Sequence, residues 1–263
     1  MKLNFINQNS GKTGIDEINE RQVFMARLAG LLLTDGGLSQ IGGKWRIHFT
    51  SNSRAFLQEF DSIVMQLFRL KTAREYRNGA WKAQAWVSRK VKEELLSYSP
   101  TYRTLNKNGK ETEARIPDFI YNPELAKQFL KYAFTSDGTV IFNIGRTRYG
   151  FRFDRCVKLY CEHNSLRKQY YELLRKLNYE TILLKDAVLI RKQKNLARFA
   201  QEIGFVEGVV ISGKGLWTGI PKSQLLRFII NSYGLKPSEL GKTKSDIHTN
   251  LIKLIPRPGY QMI

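Results

Sequence analysis

The chain has 263 residues, 42% of them hydrophobic, which is enough to bury a core and too apolar for a disordered protein. Its longest apolar runs fall short of a membrane span, and the opening "MKLNFINQNS" lacks the apolar segment of a signal peptide, so an intracellular protein is expected. Against 43 Lys and Arg stand 23 Asp and Glu, a net charge of +20 that calls for a polyanionic partner, either nucleic acid or an anionic membrane surface.

The first predicted helix runs into "LAGLLLTDGG", an apolar stretch closed by Asp35. A carboxylate is misplaced at a helix C-terminus, where free carbonyls already carry partial negative charge, so something positive is expected beside it. Ala26, Gly30 and Thr34 form a stripe of small residues suited to close helix packing. "KWRIHFT" (44–50) then alternates like a strand, with Trp45, Ile47 and Phe49 on one face and Lys44, Arg46, His48 and Thr50 on the other. Ser51 and Asn52 follow at its end. Residues 51–68 repeat apolar side chains at Phe60, Ile63, Val64 and Leu67, the spacing of an amphipathic helix. "TAREYRNGAWKAQAWVS" (72–88) reads as a hairpin turning at Asn78-Gly79, a type I′ signal. Its return strand points Trp81, Ala83, Ala85 and Val87 inward and Lys82, Gln84, Trp86 and Ser88 outward. A polar linker occupies residues 101–117.

The pattern then repeats. "LKYAFTSDGT" closes on Asp137 as the first motif closes on Asp35, and Tyr170, Leu173, Leu174 and Leu177 match the apolar face of the earlier helix. Between them "RCVKLYC", with Lys158, reads as a strand, and a second hairpin turns near Lys185-Asp186. The spacing grows between these landmarks, which predicts a longer loop near "GRTRYG". If Cys156 and Cys161 sit on one strand they face opposite ways and cannot bridge. With His163 they make no zinc spacing, and His163 and His248 are expected to be structural. Residues 16–100 and 118–204 are thus two α+β repeats of order αββαββα, followed by a basic extension over 205–263. In the extension, "PKSQLLRFIINSYG" (221–234) reads as a helix with a broad apolar face. Lys214, Lys222, Arg227 and Lys236 surround it. It is expected to dock on the second repeat and to add phosphate contacts.

The two motifs resemble those of the LAGLIDADG homing endonucleases of the single-chain, two-motif kind. Residues 28–36 share Leu-Ala-Gly-Leu and the closing Asp-Gly, residues 130–138 share the leading Leu and the Asp-Gly, and "IPDFI" (116–120) resembles the family's lead-in. The resemblance covers roughly residues 16–205. It implies two motif helices side by side on a pseudo-twofold axis, flanked by antiparallel sheets that form a DNA-binding saddle, in a monomer. Gly36 and Gly138 would take the left-handed position after each helix. Asp35 and Asp137 would be catalytic and would hold magnesium or manganese with the backbone carbonyls of Thr34 and Ser136. Supporting basic residues would come from the hairpin ends, Arg89 or Lys90 and Lys192 or Lys194. The family's water-positioning residue falls at Ser51 and Cys161, with Asn52 and Glu162 next, and stays unassigned. Double-stranded DNA would meet Lys44, Arg46, His48, Lys82, Gln84, Trp86, Ser51, Asn52 and Lys158. The resemblance also implies a staggered cut with 3′ overhangs and an intron-encoded gene. Two other functions fit the same fold, an RNA maturase acting on intron RNA and a DNA-binding regulator that does not cut. The ending "GYQMI", without His-Asn, argues against an intein.

Overall fold

Asn19 accepts a hydrogen bond from the Gln22 amide (2.8 Å) while the Gln22 side chain accepts one from the Asn19 amide (3.0 Å). This reciprocal cap starts α1 (Glu20–Leu32). The computed structural model describes residues 18–213 and 215–255. "MKLNFINQNS", "GYQMI", Lys214 and the first two residues of the predicted first repeat lie outside the described residues.

The first repeat continues through β1 (Gly36–Ile41), β2 (Lys44–Ser51), α2 (Arg54–Phe68), β3 (Ala73–Arg77), β4 (Ala80–Val87) and α3 (Arg89–Tyr98). The second follows the same order: α4 (Pro123–Asp137), β5 (Gly138–Thr147), β6 (Gly150–Tyr160), α5 (Asn164–Lys176), β7 (Thr181–Leu183), β8 (Ala187–Ile190) and α6 (Gln193–Glu202). Each repeat holds one antiparallel four-stranded sheet, ordered β1-β2-β4-β3 and β5-β6-β8-β7. The β3–β4 turn has positive φ at both Asn78 and Gly79, as a type I′ turn requires. The extra residues of the second copy lengthen β5 and β6 and leave the "GRTRYG" turn tight, contrary to the loop expected there. A two-residue connection suffices because Gly150 relieves the turn with a φ of 126°.

The extension carries α7 (Lys222–Asn231), α8 (Pro237–Leu240) and α9 (Lys244–Lys253). It packs on the second repeat. Trp217 stacks on Phe142 (5.6 Å between centroids) and donates from Nε1 to the Phe142 carbonyl (2.7 Å). Arg155 lies against Tyr233 and donates from Nε to Ser232 Oγ (2.9 Å). Buried side chains of both repeats and of the extension belong to one continuous hydrophobic core. The 101–117 linker is tied to the second repeat: the Glu111 carboxylate accepts from the Asn164 amide (2.6 Å), and Gln169 accepts from the Ile116 amide (2.7 Å).

Candidate active site

The small-residue stripe of α1 sets the geometry of the site. Gly30 faces α4 so closely that a Cβ there would sit 2.6 Å from the Phe129 carbonyl oxygen and 3.1 Å from Tyr132 Cβ. The two backbones therefore touch, and the helices end side by side. Tyr132, which stands where the first copy has Gly30, is buried against Phe56, and its hydroxyl donates to Glu59 Oε2 (2.6 Å).

Asp35 follows the last turn of α1, and its carbonyl accepts from the Thr50 amide (3.1 Å), which ties the helix end to β2. Its exposed carboxylate accepts a hydrogen bond from Ser136 Oγ at 2.6 Å, across the repeat boundary. Asp137, the final residue of α4, is half-buried. Burial first, and the neighbouring Asp35 charge second, hold its carboxyl well above the ordinary carboxylate range. Neither motif glycine takes the left-handed conformation expected of it: Gly36 opens β1 and Gly138 is extended. Glycine serves close approach at these positions instead. A Cβ on Gly36 would lie 2.6 Å from the Leu31 oxygen, and one on Gly138 would lie 2.4 Å from the Phe134 oxygen.

Two clefts flank the aspartates. One, of about 290 Å³, is lined by Asp35, Ser51, Asn52, Ser136 and Lys222. The other, of about 320 Å³, is lined by Thr34, Asp137, Cys161, Glu162 and Tyr170. Tyr170 is buried, and its hydroxyl has no hydrogen-bond partner among the described residues. Burial, with Asp137 nearby, pushes the Cys161 thiol up to about 12, so it stays protonated. Among the described residues no three His, Cys, Asp or Glu side chains cluster to hold a metal alone. The oxygen set of two carboxylates, a hydroxyl and helix-end carbonyls fits a hard cation that takes its remaining ligands from a phosphate or water, which is how magnesium is usually held.

Sequence reasoning counted Lys222 among the surface charges of the extension. It is buried, and Nζ donates to the carbonyls of Thr135 and Gly138, each at 2.6 Å. Burial lowers its pKa to about 8, while the charges of Asp35 and then Asp137 work against that fall. This is the positive group the helix-end carboxylate called for. Its one sequence signal was position, the first residue of a predicted helix whose apolar face had to be buried.

The expected basic residues lie elsewhere. Antiparallel pairing puts Trp81 of β4 opposite Ser51 and Val87 opposite Trp45, so β4 runs away from Asp35. Arg89 and Lys90 therefore stand at the far end of the sheet, exposed, with Arg89 paired to Glu93 at 2.7 Å. By the same register Ile190 pairs with Val157 and Ala187 with Tyr160, so β8 also leaves the site. Lys192 ion-pairs with Glu180, and Lys194 is exposed on α6. The hairpin turns, not the hairpin ends, lie on the aspartate side.

The outer face of the first sheet carries the predicted polar row. Arg46 Nη1 donates to Gln84 Oε1 and its Nε to Ser39 Oγ (3.4 Å), and His48 Nδ1 lies 3.5 Å from the same hydroxyl. Lys44 and Trp86 are exposed there, and Lys82 faces the Arg46 charge. Trp81, expected inward, is 44% exposed because it lies past the end of the core, against Tyr76. In the second sheet Gly138, Leu159 and Val188 align as Gly36, Phe49 and Ala83 do in the first. Counting from there, Lys158 replaces His48, Leu189 replaces Gln84, Cys156 replaces Arg46 and Ile141 replaces Ser39. Lys158 is committed to Asp186 (3.2 Å) and to the Tyr160 ring. Cys156 and Cys161 are free thiols. His163 caps α5, accepting at Nδ1 from the Leu166 amide (3.0 Å).

Residues 23–108 match the family model described as a LAGLIDADG-like domain. Among solved structures, mesophilic variants of the homing endonuclease I-DmoI are 15% identical with a TM-score of 0.50, covering 71% of this chain and 97% of that one. The complex of I-DmoI with DNA and calcium is also 15% identical with a TM-score of 0.50, covering 70% of this chain and 91% of that one. No curated protein sequence matches the chain. Among the described residues no helix is long and apolar enough to cross a membrane.

Proposed function

We propose that the chain, with a LAGLIDADG-like domain over residues 23–108 and the same fold repeated behind it, is of the single-chain, two-repeat LAGLIDADG type and is a metal-dependent endonuclease of double-stranded DNA. The observation that carries this reading is the meeting of the two motif ends, where Ser136 of one donates to the carboxylate of Asp35 on the other at 2.6 Å. Two carboxylates held this close, one of them disfavoured in its charged form, make a place for a cation. I-DmoI, similar in fold, is a homing endonuclease whose complex with DNA and calcium is known, and both partners suit the oxygen ligands and the net charge of +20 here.

Asp35 and Asp137 would hold magnesium or manganese, with the Thr34 and Ser136 carbonyls close by. The ion supplies Lewis-acid stabilisation of the phosphate and an activated water. The chain's own residues do the rest. Ser136 fixes the Asp35 carboxylate, the Gly30 contact fixes the distance between the two ends, and Ser51 and Asn52 present polar groups to one cleft. The row Lys44, Arg46, His48, Lys82, Gln84 and Trp86 would lie along a groove, the cations holding phosphates and the amide and guanidinium reading base edges. Two unequal halves in one chain suit a long, non-palindromic target, and the resemblance to the family implies a staggered cut.

The test begins by selecting bound duplexes from a random library, and the selected DNA is then incubated with protein and magnesium. Double-strand cleavage is expected from the natural chain. Asp35→Asn and Asp137→Asn should bind equally well in a gel shift and leave the duplex intact, since affinity comes mainly from phosphate contacts elsewhere. Tight binding without any cutting by the natural chain would leave a DNA-binding regulator in place of a nuclease.

A further inference from the structure

The linker between the repeats is built more tightly than a tether needs. Its stretch "LNKNGKE" (105–111) folds back on itself as a small hairpin. The Asn106 amide donates to the Lys110 carbonyl at 2.8 Å, and the Thr112 amide donates to the Thr104 carbonyl at 3.1 Å. Asn106 Oδ1 accepts from the Asn108 and Lys110 amides at 2.9 and 3.0 Å, and Gly109 supplies a φ of 70° for the turn. Both ends are anchored. Tyr102 is buried and donates to the Leu95 carbonyl of the first repeat (3.0 Å), while His163 Nε2 of the second donates to the Thr112 carbonyl (2.9 Å). The hairpin stands where two cavities meet. Arg103 lines the basin of Arg46, His48 and Lys82 on the outer face of the first sheet, and Thr104 and Leu105 line the cleft that contains Asp137. At the tip Lys107 and Lys110 are exposed, and among the described residues neither ammonium has a hydrogen bond or an ion pair. The acid beside them, Glu111, is already bound to the Asn164 and Ser165 amides at the start of α5.

We propose that the linker hairpin is a third DNA-binding element, a preformed clasp separate from the two sheets. With a duplex seated on the outer face of the first sheet, Lys107 and Lys110 hold backbone phosphates beside the Asp137 cleft. Arg103 carries the positive surface of the sheet across to that cleft. Because the hairpin is ordered before DNA arrives, little conformational freedom is lost on contact. The proposal rests on the duplex-DNA reading and needs binding alone, not cutting.

The test is a gel-shift titration of the selected duplex over a range of salt, with Tm measured beside it. Lys107→Gln/Lys110→Gln should weaken binding about tenfold near physiological salt and shrink the slope of log K against log salt by about 2. Its Tm should stay within about 2 °C of the natural chain, because both side chains are exposed. Lys168→Gln/Arg175→Gln, on the exposed face of α5 behind the second sheet, removes the same charge and should leave the slope nearly unchanged. Equal losses from the two pairs would assign the effect to net charge and overturn the proposal. A linker variant that binds like the natural chain also overturns it. Asn108→Cys carrying a photoactivatable azide locates the tip while both lysines remain. Its cross-links should fall near the middle of the footprint; cross-links at the footprint's ends, or none, overturn the proposal. A natural chain that binds no duplex refutes the DNA reading and the clasp together. Loss of binding on replacing Lys44, Arg46 and Lys82, with undiminished binding by the linker variant, refutes the clasp alone.

Discussion

Asp137 carries its charge at a cost to the fold. Its folded pKa lies above the ordinary 3.8, so between those values the folded chain holds a proton that the unfolded chain has released. Stability therefore falls as pH rises through that window. In EDTA, the Tm of Asp137→Asn relative to that of the natural chain should climb between pH 5 and pH 8, and the variant should be the more stable at pH 8. His48 has the opposite sign. Burial first, then Lys82 and Arg46, push it down from 6.5 to about 4, so in that window the unfolded chain binds the proton that the folded chain refuses. Stability is lost as pH falls from about 6.5 towards 4. His48→Gln should lose less Tm than the natural chain on moving from pH 7 to pH 5. A neutral imidazole at pH 7 also means that, on the proposed DNA-binding reading, His48 would meet DNA as a hydrogen-bonding ring and not as a cation.

Among the elements, the α1–α4 seam leaves the least room for change. Gly30→Ala drives a methyl group against the Phe129 carbonyl, an overpacking worth about 1–3 kcal/mol. Chemical denaturation should read that loss, and cutting should fall with it as the two helix ends move apart. The β2–β4 face should behave differently. Replacing Lys44, Arg46 and Lys82 with Ala leaves stability within about 1 kcal/mol. DNA affinity should fall, and the slope of log K against log salt should shrink by about 3 if each cation holds a phosphate. This face was legible in the sequence because alternation and the Asn78-Gly79 turn are local signals. So was the pairing of Asp35 with Asp137, through repetition. The hairpin-end basic residues were misplaced because the direction in which a return strand leaves the site depends on register, which no short pattern records. Lys222 was missed for a related reason: a lysine at the start of an amphipathic helix looks solvated until the fold brings the end of another helix against it.

At the scale of the whole molecule, the extension cannot be removed without consequence. Trp217, Leu225, Leu226, Ile229 and Leu251 are buried in the same core as both repeats. At about 1.5–3 kcal/mol for each large side chain, their loss is comparable to the entire net stability of about 5–15 kcal/mol of an ordinary domain. Truncation after Gly204 should give an aggregating chain or one whose Tm falls by well over 10 °C, measured by light scattering and calorimetry. On the proposed reading the two sheets would also be unequal as readers. Where the first presents Arg46, Gln84 and Ser39, the second has Cys156 and Leu189, both buried, and Ile141 at matching register. Donors and acceptors penalise a wrong base by leaving partners unsatisfied, whereas apolar contacts discriminate weakly. A saturation scan of the target should therefore find its information content crowded into the half-site under the first repeat. The other half-site could then accumulate substitutions in a diverging gene and still be recognised, so the duplication would have divided fidelity from tolerance between its two copies.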